Sequence, residues 1–128
     1  MPRVHEAVGF FVVAVFTVGW IWGLVALIAH RDPGPRFWTW LVVAQVIAGV
    51  QAVLGIILLL LGYRPDTWLH YVYGFGPLVI FAIAHSMARD LPEGGGGRFS
   101  QPYVVFTAAA FICFGLGGRA LMTGLGLG

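Results

Sequence analysis

The chain has 128 residues, of which 59% are apolar and 9% are charged, and its mean hydropathy is +0.90. A soluble domain carries about 25% charged residues, so this composition excludes one and predicts an integral membrane protein. The net charge is +2, and the basic side chains are arginine alone, without lysine. We expect the lipid bilayer to surround the chain, and we expect no nucleic-acid partner.

Four apolar segments are long enough to cross a bilayer, which takes about 20 residues. They run roughly from Val4 to His30, from Trp38 to Gly62, from Trp68 to Arg89 and from Pro102 to Met122. Lipid offers the backbone no hydrogen-bond partner, so segments of this length must be helices. The connections between them are short, which makes neighbouring helices antiparallel. The sequence therefore predicts an all-α, up-and-down four-helix membrane bundle, forming a single domain over residues 1–128.

The first segment opens with His5, and Gly9 lies one helical turn deeper on the same face. Its apolar run is longer than that of a secretory signal peptide and no small-residue cleavage pattern follows, so we expect it to be retained. Gly19 and Gly23 form a small-xxx-small pair. Such a pair serves either close helix packing or association of two copies in a homodimer.

The second segment carries Gln45 and Gln51, which are the only amide side chains within the apolar spans. Gly55 follows one turn after Gln51. A buried amide without a partner costs free energy, so both glutamines are interpreted as hydrogen-bonded links between helices.

The third segment repeats the pattern of the first, with His70 near its start and Gly74 four residues later. His85 lies near the other end of this segment. Three roles are open to it: a hydrogen-bonded histidine at the membrane interface, a proton relay or a lone metal ligand. A second paired site with His30 is not expected. His5 and His30 are 25 residues apart, about 37 Å along a helix, whereas His70 and His85 are 15 apart, about 22 Å. If His5 and His70 are level, His30 and His85 are therefore offset by roughly 15 Å, too far to share one iron.

The fourth segment holds glycines near its end at Gly115, Gly117 and Gly118, followed by Arg119. It also contains Cys113, the only cysteine, which allows neither an intrachain disulfide nor a multi-cysteine metal site. An arginine within an apolar run either faces the bundle interior, which makes it a functional candidate, or extends to the interface.

An up-and-down bundle brings His5 and His70 to the same membrane face from the first and third helices. We interpret them as the two axial ligands of one haem b, and a second haem is not expected. All four helices have glycine at that depth, where a flat macrocycle needs close backbone approach. The predicted cofactor-binding residues are Gly9, Gly55, Gly74, Gly117, Gly118 and Gln51, with Arg3, Arg64 and Arg119 as partners of the propionates.

The arginines also give an orientation. Arg31, Arg36, Arg89 and Arg98 lie at one end of the predicted bundle, and Arg3, Arg64 and Arg119 lie at the other. This bias favours the first end in the cytoplasm, so both termini and the haem end are expected outside it. The expected location is a bacterial or archaeal plasma membrane.

The run from Gln51 to Gly55, followed after about 15 residues by Leu69 and His70, resembles the haem A synthase family. Each four-helix half of that family has a helix with a glutamine, a few small or apolar residues and a glycine, and then a helix that begins with a ligand histidine. His5 with Gly9 is similar to the family's other ligand helix, and the Gly117–Gly118 pair is similar to the glycine pair of its leading helix. The resemblance covers most of the chain, as one half-domain in circularly permuted order.

The chain departs from this family where the family's reaction is concerned. The catalytic half has a glutamate shortly before its first ligand histidine, whereas Glu6 follows His5 here. Many members also have a cysteine pair in an external loop, and this chain has no such pair. The resemblance therefore implies a haem-binding fold without implying the reaction.

Electron transfer is the expected activity, because an iron with two imidazole ligands has no open position for oxygen. A quinone or a redox protein is the expected electron partner. One alternative is a half-size, haem-modifying enzyme similar to haem A synthase, acting as a homodimer. The other is an accessory subunit of a larger respiratory or photosynthetic complex, whose histidines satisfy local hydrogen bonds or bind another tetrapyrrole.

Overall fold

A computed structural model describes residues 2–65, 68–89 and 101–126. This part of the chain forms four helices, α1 (Pro2–Ile28), α2 (Pro35–Leu60), α3 (Leu69–Arg89) and α4 (Pro102–Gly124). Each helix is long and apolar enough to cross a membrane. The predicted all-α membrane bundle is thereby confirmed. Arg98, which contributes to the predicted orientation, lies outside the described residues.

Proline and glycine set the ends of the helices. Pro35 begins α2 and Pro102 begins α4, at the position where the missing amide hydrogen costs no helical bond. Gly34 has a φ of 85° and Gly62 a φ of 96°, a left-handed conformation that glycine adopts without strain. As a result α2 begins at Pro35, three residues before the predicted Trp38.

The outward faces of the helices are apolar, as expected of surfaces that contact lipid. Phe11 on α1 is 64% exposed and Leu60 on α2 is 81% exposed. Each of the four helices has exposed valine or isoleucine side chains. Helices that are apolar on all sides are typical of membrane spans. Contact with a lipid bilayer follows from this surface.

Helix α1 packs against α2 and α4, and α3 packs against α4 and more loosely against α2. Helices α1 and α3 are therefore diagonally opposite in the bundle. Aromatic side chains fill its centre, where the rings of Phe16 and Phe81 stack at 5.5 Å and the ring of Phe106 lies 6.0 Å from that of Phe81. Phe37 and Leu41 continue this core toward the end where α2 begins. The opposite end of the bundle, where α1 and α3 begin, contains a cavity.

The small-xxx-small pair of α1 serves packing within the chain. A Cβ atom on Gly23 would overlap the hydroxyl of Thr107 on α4, and one on Gly19 would lie 3.2 Å from Leu41 of α2. Both glycines are buried. Close packing between helices is therefore the role of this pair, and the homodimer considered from the sequence would have to use another surface.

This packing predicts that Gly23→Ala weakens the bundle. The added methyl group has to push α1 away from α4, which costs about 1–3 kcal/mol of unfolding free energy. Thermal unfolding in one detergent measures the effect as a lower midpoint. Gly49→Ala in α2 is the matched control, because a Cβ atom there meets nothing within 4 Å. Equal midpoints for the two variants would contradict the assigned contact.

Candidate cofactor site

The bundle brings His5 and His70 together at one end. His5 lies in the first turn of α1 and His70 is the second residue of α3, on the diagonally opposite helix. Their ring centroids are 6.0 Å apart, and the ring planes are inclined by 74°. The two histidines that the sequence places at one level are therefore neighbours in space.

The ring of His70 is held by α4. Its Nδ1 atom lies 2.9 Å from the backbone oxygen of Ala120 and 3.1 Å from Oγ1 of Thr123. A carbonyl oxygen only accepts hydrogen bonds, so Nδ1 carries the hydrogen and donates it. In the neutral ring, Nε2 then keeps its lone pair. This is the usual arrangement of a histidine that binds metal through Nε2.

The environment of His5 is different. Its Nδ1 atom is buried and has no hydrogen-bond partner among the described residues, and the same is true of Oε1 of Gln51. The other end of the Gln51 amide is satisfied, because its Nε2 donates to the backbone oxygen of His5 at 2.7 Å. Buried polar atoms without partners cost about 1–3 kcal/mol each, so two of them beside one cavity make it the candidate site.

A cavity of about 290 Å³ surrounds the two histidines. All four helices contribute to its wall, which is mainly apolar with a few polar side chains, a composition typical of small-molecule sites. Ile56 and Tyr63 belong to the wall and are 43% and 52% exposed. Since the cavity is open to the outside, its volume does not limit a ligand whose edges extend beyond the wall.

The predicted glycines occupy distinct places around this cavity. Gly9, Gly55, Gly74 and Gly117 line it, and Gly118 is outside its wall. A Cβ atom on Gly55 would lie 3.3 Å from Cε1 of His5, and a Cβ atom on Gly74 would meet nothing within 4 Å. Gly55 thus makes room for a histidine ring, whereas Gly74 is an exposed residue of the cavity wall with open space beside it.

The three arginines assigned to propionates also differ in position. Arg64 lines the cavity, and its Nη1 donates to the backbone oxygens of Leu59 and Tyr63 at 2.7 and 3.0 Å. The guanidinium of Arg119 lies 5.6 Å from the ring centre of Tyr73, which is part of the wall, although Arg119 is not. Arg3 is exposed in the first turn of α1 and is also outside the wall.

The remaining histidines lie away from the cavity. His85 is exposed, its Nε2 lies 3.1 Å from Oε1 of Gln45, and its ring contacts Phe106 at 4.9 Å. Gln45 thus forms the interhelical link expected for it. His30 follows α1 as an exposed residue with a φ of 56°.

Sequence reasoning missed the contribution of α4 to the His70 site. Ala120 and Thr123 bind the His70 ring, and a Cβ atom on Gly124 would lie 3.0 Å from its Cε1 atom. A threonine followed by glycine at the end of an apolar span is a weak signal, and Ala120 acts through its backbone. No sequence pattern marks a backbone acceptor.

The described residues contain no group of three or more His, Cys, Asp or Glu side chains arranged to hold a metal ion. Two histidines are all that a metalloporphyrin needs from the protein as ligands.

Comparisons with protein-family models, curated proteins and solved structures found no match.

Two glycine variants test the contact between His5 and α2. Gly55→Ala and Gly74→Ala gain the same helix propensity, up to about 1 kcal/mol, but only Gly55→Ala has to displace the His5 ring. We expect a lower thermal midpoint for Gly55→Ala than for Gly74→Ala. The difference should disappear when both are made in a His5→Ala background. A difference that persists there would refute the contact.

Proposed function

We propose that this chain is a membrane b-type haem protein, with His5 and His70 as the axial ligands and electron transfer as its activity. The observation that carries the proposal is the pair of imidazoles contributed by diagonally opposite helices, with centroids 6.0 Å apart. Two imidazole rings that bind one metal from opposite sides, each through a nitrogen at about 2 Å, have their centroids roughly 6 Å apart. The separation of these two rings suits such a metal.

The surroundings of the pair fit a haem as well. His70 directs its lone pair away from Ala120, and the imidazoles of both histidines belong to residues of the cavity wall. The wall is largely apolar, and Gly74 leaves space for a flat ring. Haem bound there would supply a centre that takes up and releases one electron.

The protein's own residues would hold the cofactor between the helices. With His5 and His70 both bound to its iron, a haem here would favour electron transfer over oxygen chemistry. Arg64 in the wall, with Arg119 and Arg3 at the same end of the bundle, would compensate the propionate charges. A quinone or a redox protein is the proposed partner, and the haem end is proposed to face away from the cytoplasm.

The first test is the pigment of the purified protein. Wild-type protein, expressed with adequate haem supply, should show the reduced α band of a b-type haem. His5→Ala and His70→Ala should each lose most of the pigment or convert low-spin iron to high-spin iron. His30→Ala and His85→Ala are matched controls and should keep the wild-type spectrum. Colourless wild-type protein that also fails to bind added haem would overturn the proposal.

A second test fills the cavity without touching either histidine. Gly74→Phe should abolish haem uptake, because its ring would enter the space beside the two imidazoles. Gly74→Ala adds only a methyl group and should retain haem. Haem titration followed by absorption measures both, with the elution volume in detergent confirming that each variant is folded. Wild-type haem content in folded Gly74→Phe would contradict the assigned location.

A further inference from the structure

The two glutamines of α2 each contact a histidine of a neighbouring helix. Gln45 pairs with His85 of α3 away from the cavity, and this pair makes a regular hydrogen bond of 3.1 Å. Gln51 pairs with His5 of α1 in the cavity wall, where its side chain bonds the backbone oxygen and not the ring of the histidine. The first pair provides an internal reference for the second.

Helices α1 and α2 interlock around Gln51 and His5. A Cβ atom on Gly9 would lie 3.3 Å from Nε2 of Gln51, and a Cβ atom on Gly55 would lie 3.3 Å from Cε1 of His5. Each large side chain therefore lies against a glycine of the other helix. Both glycines lie four residues after a member of the pair, so one turn of each helix serves both contacts.

The amide of Gln51 is oriented by its donor end. Nε2 donates to the backbone oxygen of His5 at 2.7 Å, which leaves Oε1 as an acceptor without a partner. Nδ1 of His5 is the other buried atom without a partner in this part of the cavity wall. One acceptor and one potential donor, both buried and both without a partner, thus lie on two residues that a hydrogen bond already joins.

We propose that Gln51 is the positioning residue of His5, accepting the Nδ1 hydrogen through Oε1 while it holds the main chain of the same residue through Nε2. Nε2 of His5 would then keep its lone pair for the metal, as Nε2 of His70 does. An acceptor at Nδ1 makes the imidazole a stronger donor, which favours ferric iron and lowers the reduction potential. This inference rests on the proposed haem function and assigns Gln51 a role within it.

The test in the haem-loaded protein compares one substitution at two positions. Gln51→Leu should lower haem affinity roughly 10–100-fold and shift the midpoint potential upward. Gln45→Leu also breaks a contact between a glutamine of α2 and a histidine, here His85 of α3, and it should leave the midpoint potential unchanged. Gln51→Glu retains an acceptor oxygen and should keep the potential at or below that of the wild type. An unchanged potential in folded, haem-loaded Gln51→Leu overturns the proposal.

A second measurement does not require haem. Nitrogen-15 spectra of histidine-labelled, haem-free protein, at a pH where the rings are neutral, distinguish the tautomer with hydrogen on Nδ1 from the one with hydrogen on Nε2. The His5 signals are those missing from His5→Ala. We expect the Nδ1 tautomer in the wild type and a mixture in Gln51→Leu, and the same tautomer ratio in both would overturn the role of Gln51. If the wild type binds no haem, the proposed function fails. This measurement still decides whether Gln51 determines the tautomer of His5.

Discussion

Lipid offers no hydrogen bonds, and this constraint decides what the polar side chains within the spans of this bundle must do. Most of them find a partner close by, as Thr107 does when it donates to the backbone oxygen of Tyr103 at 2.7 Å. Among the described residues only three buried side-chain atoms lack a partner, on His5, Trp20 and Gln51. Two of the three belong to residues that line one cavity, so the unmet hydrogen bonds are concentrated at the candidate site.

Glycine makes this concentration of polar groups sterically feasible. The ring of His5 lies against Gly55 of α2, and the ring of His70 lies against Gly124 of α4. Each ring therefore occupies space that a side chain on the adjacent helix would take, and the two rings meet across the diagonal of the bundle. Glycine in a helix costs about 0.5–1 kcal/mol relative to alanine, a cost that the close approach of a functional side chain explains.

Composition, span length and helical rise were sufficient to predict the four helices and the common level of His5 and His70, because these depend on distance along the helix axis. They were not sufficient to assign contacts around that axis. The glycines were predicted to face a macrocycle, yet Gly55 contacts His5 and Gly9 contacts Gln51. How far each helix is rotated depends on packing across the whole bundle, including its aromatic core, and no local pattern encodes it.

The two imidazoles are supported in physically different ways, and the difference bears on how the site tolerates sequence change. His70 donates to the backbone oxygen of Ala120, which any residue at that position would supply, and Thr123 adds a second contact. Nδ1 of His5 has no partner among the described residues, and Gln51 donates instead to the backbone oxygen of His5. If Gln51 positions His5 as proposed, one imidazole is fixed by the fold itself, while the donor strength of the other is open to adjustment by substitution at a single position on α2.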